Sequence, residues 1–337
     1  MVRGPGFAAR PLGFLTLLLA TALPACRKAP VPARGYVAGA SGARIYYELG
    51  GAGSDTVIVV HGGPGAGMND IRPDLEPLAR NNVVIYYDQR GGGRSELPSD
   101  TTRLAARYFI DDLEAVRASF GIQRVALLAH SFGAIVAAEY ARVHPRRVSR
   151  LIFLAATGPS RQEAARFYRS RPPVSDTVTA RRQYGVLSTL MNGTAPDPVA
   201  ACREYERLGR RLAADRGEFV GLNGSTCDMP ADAVRYYYRY TATIGPEGFG
   251  DWDYTRSLRE LPVPLLVIDG ERDSAGLAME HAWTRAVSNG RLLVVPRAGR
   301  AAYAERPDIV FPAIDSFLRG RWPDSAVAPA SDTIGGD

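Results

Sequence analysis

Residues Val125 to Ala134, reading Val-Ala-Leu-Leu-Ala-His-Ser-Phe-Gly-Ala, run an apolar strand straight into a helix with Ser131 at the corner. Small residues two places to either side, Ala129 and Gly133, allow a turn tight enough to hold the serine in a strained conformation above a sheet edge. Glycine is the usual residue at the first of those places, and alanine adds only a methyl group. A serine hydroxyl is a weak nucleophile at neutral pH, so this corner implies chemistry only where the chain also supplies a base, an orienting acid and an oxyanion hole.

The same kind of apolar run recurs along the chain. Thr56 to Val60, Val83 to Tyr87, Leu151 to Ala155, Val263 to Ile268 and Leu292 to Val295 are short and nearly continuous, as strands buried on both faces are. Amphipathic stretches such as Ile110 to Phe120, Ile135 to Val143, Leu277 to Val287 and Ile309 to Leu318 alternate with them. Strands alternating with helices predict an α/β fold built on a parallel sheet with helices on both sides. Tyr36-Val37 and Ile45 to Leu49, flanking Ser41-Gly42, read as an opening hairpin. From Pro159 to Asp251 the alternation stops, and a segment rich in Arg, Tyr and Ala with helix-like spacing reads as a helical insertion over the sheet edge. This divides the chain into a core of 26–158 and 252–320, a helical cap of 159–251 and a tail of 321–337. The tail's Ala, Pro, Ser, Asp and Gly predict disorder.

The chain has 337 residues, 46% hydrophobic and 23% charged, which excludes disordered and fibrous classes. Its formal charge is +6 with a pI near 9.3, but the basic residues are scattered arginines and Lys28 is the only lysine. No basic patch suited to nucleic acid is formed.

Arg3 and Arg10 precede an apolar run from Leu12 to Leu23, which reads as an export signal over residues 1–25. The run is too short to span a bilayer, which takes roughly 20 residues. Leu23-Pro24-Ala25-Cys26 is similar to a bacterial lipobox, in which Cys26 would be lipidated and become the first mature residue. The alternative is an ordinary signal peptide cut nearby. The expected location is therefore exported, periplasmic or at the cell surface, with possible membrane attachment through Cys26. Cys202 and Cys227 then remain as an even pair, expected either as a disulfide or as two buried thiols.

Strand Thr56 to Val60 ends in His61-Gly62-Gly63-Pro64-Gly65, where glycines let backbone amides approach a substrate oxygen closely. Gly63 and Phe132 are the expected oxyanion-hole donors. The next strand ends in Asp88-Gln89-Arg90-Gly91-Gly92-Gly93-Arg94-Ser95, read as a charged turn that braces the site. These two loops with the Ser131 corner make the chain resemble the α/β-hydrolase superfamily, in its proline iminopeptidase-like branch. The resemblance covers roughly Gly35 to Arg319. It implies an α/β-hydrolase fold with a mostly parallel eight-stranded sheet plus inserted cap. It also implies hydrolysis of N-terminal peptide, amide or ester bonds of small substrates.

In that family the acid follows a late strand, and Asp269-Gly270-Glu271-Arg272-Asp273 places Asp273 at the position. The base should follow the last strand, where relatives have Gly-His. Here Gly299 is followed by Arg300, which offers donors only and cannot take the serine's proton. Arg300 is expected to pair with Asp273, or to extend into the pocket and hold an anionic group. His130, His144 and His281 are the other histidines besides His61, and a base role for any of them is the lesser expectation. Among the cap carboxylates, Glu206 most resembles the family's amine-binding position, with Glu204, Glu218 and Asp228 as competitors.

Two functions follow from these residues. One is a serine hydrolase of iminopeptidase type, impaired because Arg300 stands at the base position; the other is a non-catalytic member that uses the same pocket for binding. The partner in either case is a small peptide or ester-like molecule. No spacing of His, Cys and carboxylates suits a metal, and the glycine loops fit oxyanion and turn duties better than a dinucleotide, so no cofactor is expected.

Overall fold

The computed structural model describes Met1, Val2, Gly4 and residues 33–329. The chain divides into two units, Met1–Val31 and Pro32–Asp337, and the architecture below is that of the second. Most of residues 1–25, read above as an export signal, Cys26 and residues 330–337 lie outside the described residues.

Nine strands form one sheet: β1 Arg34–Ala38, β2 Arg44–Gly50, β3 Asp55–Val60, β4 Asn82–Tyr87, β5 Val125–His130, β6 Val148–Leu154, β7 Leu265–Gly270, β8 Gly290–Val295 and β9 Ala326–Val327. Their spatial order is β1-β2-β4-β3-β5-β6-β7-β8-β9. Strands β4 through β8 pair in parallel, while the β1/β2, β2/β4 and β8/β9 pairs are antiparallel. The predicted mostly parallel sheet is therefore present, with a ninth strand in place of the expected eight.

That ninth strand lies in the tail assigned to disorder. Ala326 pairs with Leu293, and Trp322 packs on Phe317 at 4.8 Å between ring centroids. The Arg291 guanidinium lies over the Trp322 ring at 4.7 Å from its centroid. Composition alone misjudged residues 321–329 because one tryptophan supplies an anchor that the surrounding Pro, Ala and Ser do not advertise.

Side chains alternate across each central strand, and the two faces build separate cores. Ile58, Val60, Val125, Leu127 and Ala129 pack on one side, and Val57, Val59, Ala126 and Leu128 on the other. Burial on both faces is what makes these strands read as continuous apolar runs. Helices α1 Ala106–Ser119 and α2 Gly133–Val143 follow β4 and β5 in the chain.

Between β6 and β7 the segment is helical: α3 Arg161–Ser170, α4 Thr177–Met191, α5 Pro198–Asp215, α6 Ala231–Tyr236 and α7 Ala242–Glu247. A π turn over Tyr237–Thr241 joins the last two. Asp176 and Asp197 cap α4 and α5 by accepting backbone amides of the first turn. Cys202 and Cys227 are joined by a disulfide, Cα to Cα 5.6 Å, inside a small apolar cluster with Leu190, Val234 and Tyr238. Helices α8 Ser274–Ala286, α9 Ala302–Glu305 and α10 Pro307–Leu318 complete the unit.

Candidate active site

Ser131 sits between β5 and α2 with φ at +51°, the left-handed conformation that a side-chain-bearing residue adopts only under constraint. The constraints are visible. The Ser131 amide donates to Leu154 O at 3.2 Å, and its carbonyl accepts from Ala134 N and Thr157 N. Gly133 has no room for a side chain, since a Cβ there would stand 2.2 Å from Val60 O. Ala129, at the other small position, is fully buried with its methyl accommodated.

The glycine loop after β3 passes directly beside the serine: a Cβ on Gly62 would lie 3.2 Å from Ser131 Cβ. Among the described residues, the amides of Gly63 and Phe132 donate to no acceptor. Two uncommitted amides near a serine corner are what an oxyanion hole requires. His61 does not reach Ser131. Its Nδ1 bonds Gly62 O at 2.8 Å and its Nε2 accepts from Gln89 N at 3.0 Å, which locks the ring. Burial pulls its pKa down to about 4 and keeps it neutral.

The charged turn after β4 is structural. Arg90 is fully buried and holds both oxygens of Asp112 at 2.6 Å, while Asp112 also accepts Ala40 N. Asp88 accepts the amides of Met68 and Arg94 and thereby ties the two loops together. Burial, offset by those amides, leaves its pKa at about 6.

Asp273 follows β7 and caps α8, accepting Gly276 N at 3.0 Å through Oδ1. Its other oxygen faces Arg300, whose Nη1 stands 3.2 Å away. Arg300 Nη2 donates to Ala155 O at 2.7 Å and Ala156 O at 2.9 Å, and the guanidinium lies 4.4 Å from the Phe167 ring centroid. The loop that presents Arg300 is fixed by Gly299 N donating to Glu305 at 2.9 Å. It also crosses so close to β7 that a Cβ on Gly270 would meet Ala298 O and Gly299 O at 2.2 Å.

Two acids behind this pair were not singled out in the sequence. Asp269 and Glu280 are both fully buried. Asp269 Oδ2 lies 4.0 Å from Arg300 Nη1. Burial and the neighbouring Glu280 raise the Asp269 pKa well above the usual carboxylate range. Burial raises Glu280 to about 8, against the pull of Arg300. The signal for Glu280 was helical spacing: Gly276, Met279, Glu280 and Trp283 form the buried stripe of α8. Arg300 is thus the cation for three carboxyl groups, which hold its own pKa up although burial opposes it.

Among the described residues, no base is hydrogen-bonded to Ser131. Its hydroxyl makes no hydrogen bond to any described residue. His130 lines the same cavity, but its Nε2 is 3.4 Å from Tyr303 Oη and its Nδ1 3.8 Å from Asp70. Burial, with Arg300 and His61 nearby, pushes the His130 pKa down to about 3. His144 ends α2 and His281 lies exposed on α8, and neither borders the cavity.

The cavity has a volume of about 370 Å³, and a smaller one of about 130 Å³ adjoins it. Ser131, Phe167, Arg171 and Arg300 line both. Glu206 lines neither, and here the sequence expectation needs correction. Its oxygens are taken by Ser225 Oγ at 2.8 Å and Thr226 N at 2.9 Å, so it braces the loop beside the disulfide. Glu204 pairs with Arg182 and Arg207 on the surface, and Asp228 lies 3.7 Å from Arg203. Of the four candidates, Glu206, Glu204, Glu218 and Asp228, only Glu218 lines the cavity, and it is held by Arg171 and Arg216.

A family model described as alpha/beta hydrolase fold matches residues 55–307. A proline iminopeptidase of Xylella fastidiosa (strain Temecula1) is 32% identical over 302 residues, covering 82% of this chain and 93% of the relative. One from Heyndrickxia coagulans is 26% identical over 276 residues, covering 79% and 91%. Among solved structures, the proline iminopeptidase of Mycobacterium smegmatis superposes with a TM-score of 0.64 at 22% identity, over 85% of this chain and 97% of that one. VinJ also gives 0.64 at 22% identity, over 86% and 99%.

Proposed function

The chain belongs to the alpha/beta hydrolase fold family, in its proline iminopeptidase-like branch, and from that premise we propose a serine-type hydrolase whose turnover is impaired because Arg300 stands where the base belongs. The substrate class is the N-terminal peptide, amide or ester bond of a small molecule, attacked by Ser131 with Gly63 and Phe132 as oxyanion donors and Asp273 as the acid. The observation that carries the reading is the place of Arg300, hydrogen-bonded to Asp273 and bordering the cavity with Ser131. In a working triad the acid orients an imidazole, which takes the serine's proton and returns it to the leaving group. A guanidinium fills the acid's hydrogen bond but accepts no proton. Loss of the base in such a triad costs about 10⁶-fold in kcat, with the oxyanion hole and binding leaving about 10³–10⁴ over water.

A panel of N-terminal aminoacyl amides and esters tests this reading, with Ser131→Ala as the control. Wild type should exceed the control only slightly. A Ser131-dependent kcat near the enzyme median of about 10 s⁻¹ would refute impairment. A second reading, a non-catalytic pocket that binds its ligand, is favoured by the serine hydroxyl's lack of any partner among the described residues.

We further propose that the protein is exported and held at a membrane through lipidated Cys26. The Cys202–Cys227 disulfide supports export, because such bonds persist in oxidising compartments. A clickable fatty acid should label the wild type and not Cys26→Ser; equal labelling would remove the anchor.

A further inference from the structure

The cavity over Ser131 shows an imbalance of charged partners. Of its three carboxylates, Asp273 is held by Gly276 N and Arg300 and Glu218 by Arg171 and Arg216, while Glu305 accepts Gly299 N. The cavity's Arg272 guanidinium is not held in this way. Arg272 is exposed at the cavity wall, and among the described residues its side chain has no acceptor and no ion-pair partner.

The floor has the same character. The Ser131 hydroxyl, which borders the cavity, is uncommitted among the described residues. Arg300 carries five N–H donors; three are engaged by Asp273, Ala155 and Ala156, which leaves two. A histidine at that position would have contributed an acceptor, whereas arginine makes this end of the cavity rich in donors.

We propose that the cavity is a receptor for a monocarboxylate with an apolar body. The carboxylate is held by the Ser131 hydroxyl and Arg300, with Arg272 supplying attraction from the rim. This deepens the reading that Arg300 replaces the base, and it rests on that reading. An ammonium group is disfavoured, because four arginines, Arg171, Arg216, Arg272 and Arg300, line the cavity, and two of its three carboxylates, Asp273 and Glu218, are already paired with them. The apolar body is specified by Phe167, Phe219 and Leu222, which border the same space. A volume of about 370 Å³ suits a small organic acid. The acid half of a hydrolysed ester or amide has this chemistry, so the arginine turns a product that an enzyme must release into a ligand that the site retains.

Calorimetric titration of the mature protein with phenylacetate, against neutral phenylacetamide of the same shape, tests the proposal. The acid should bind at least about tenfold more tightly, a difference of about 1.4 kcal/mol. Arg272→Gln, an exposed change that leaves the fold intact, should weaken the acid severalfold and leave the amide unchanged. Arg300→His should abolish most of the preference. Equal affinity for acid and amide, or a preference indifferent to Arg272, would overturn the receptor. Ser131-dependent turnover by wild type with no acid preference would overturn both this proposal and impairment. Acid preference together with rapid turnover would overturn impairment alone and leave the receptor standing.

Discussion

Arg300 Nη1 stands 3.2 Å from Asp273 Oδ2, so the carboxylate that would orient a base is bonded to a group that cannot act as one. Breaking this contact exposes more than one acid. Asp269 Oδ2 is 4.0 Å from the same nitrogen, and Glu280 is fully buried on the helix that Asp273 caps. The arginine and the buried acids form one electrostatic unit, and several consequences are measurable.

Stability should fall as pH rises through the neutral range. Burial lifts the Glu280 pKa from 4.5 to about 8, with Arg300 opposing the rise and Asp273 adding to it. The folded state therefore keeps a proton that the unfolded chain has already released. The contribution is complete below about 4.5 and lost as pH climbs through about 8. Asp269, also raised, adds in the same direction. Urea unfolding at several pH values across that window should show the decline, and Glu280→Gln should flatten it. Parallel slopes for the two proteins would dispose of the buried-proton explanation.

The Arg90–Asp112 pair should be costly to break. Both residues are buried and joined by two bonds of 2.6 Å, and Asp112 also holds Ala40 N. Asp112→Ala would leave a guanidinium buried without its counter-charge, a loss of about 3–5 kcal/mol. Denaturant titration measures it. A loss under about 1 kcal/mol, the range of an exposed pair, would mean that solvent reaches Arg90.

Reduction of the cap disulfide should loosen the cap while the sheet persists. Cys202 and Cys227 are 25 residues apart in sequence, and closing a loop of that length contributes about 3.5 kcal/mol in the chain-entropy account. Limited proteolysis of Cys202→Ser/Cys227→Ser should cut first between the two positions. Cleavage of wild type and variant at the same rate would show that Leu190, Val234 and Tyr238 hold the cap without the bond.

The sheet and the serine corner were legible because strands buried on both faces leave continuous apolar runs, and because a tight corner demands small residues at fixed offsets. The position of Arg300 was legible from its frame, Gly299 before it and Glu305-Arg306-Pro307 after it. Asp269 was hidden at the end of an apolar strand, where one acid reads as the start of a loop. Glu280 was hidden in an amphipathic helix, where an acid reads as a solvent-facing residue although the structure buries it. Glu206 was misjudged for a different reason: sequence places it on a helix but does not show that Ser225 and Thr226 take both its oxygens. The tail strand Ala326–Val327 depends on a contact with Leu292 and Leu293, far away in the chain.

The rate at which a fluorophosphonate labels Ser131, compared between wild type and Arg300→His at equal folded concentration, bears most directly on the central claim. An imidazole in place of the guanidinium restores a proton acceptor beside Asp273, and loss of such a base costs about 10⁶-fold in a working triad. The account predicts labelling of Arg300→His at least about 100-fold faster than wild type, as a partial recovery of that loss. Wild type labelling as fast as the variant, with Ser131→Ala unlabelled, would contradict it.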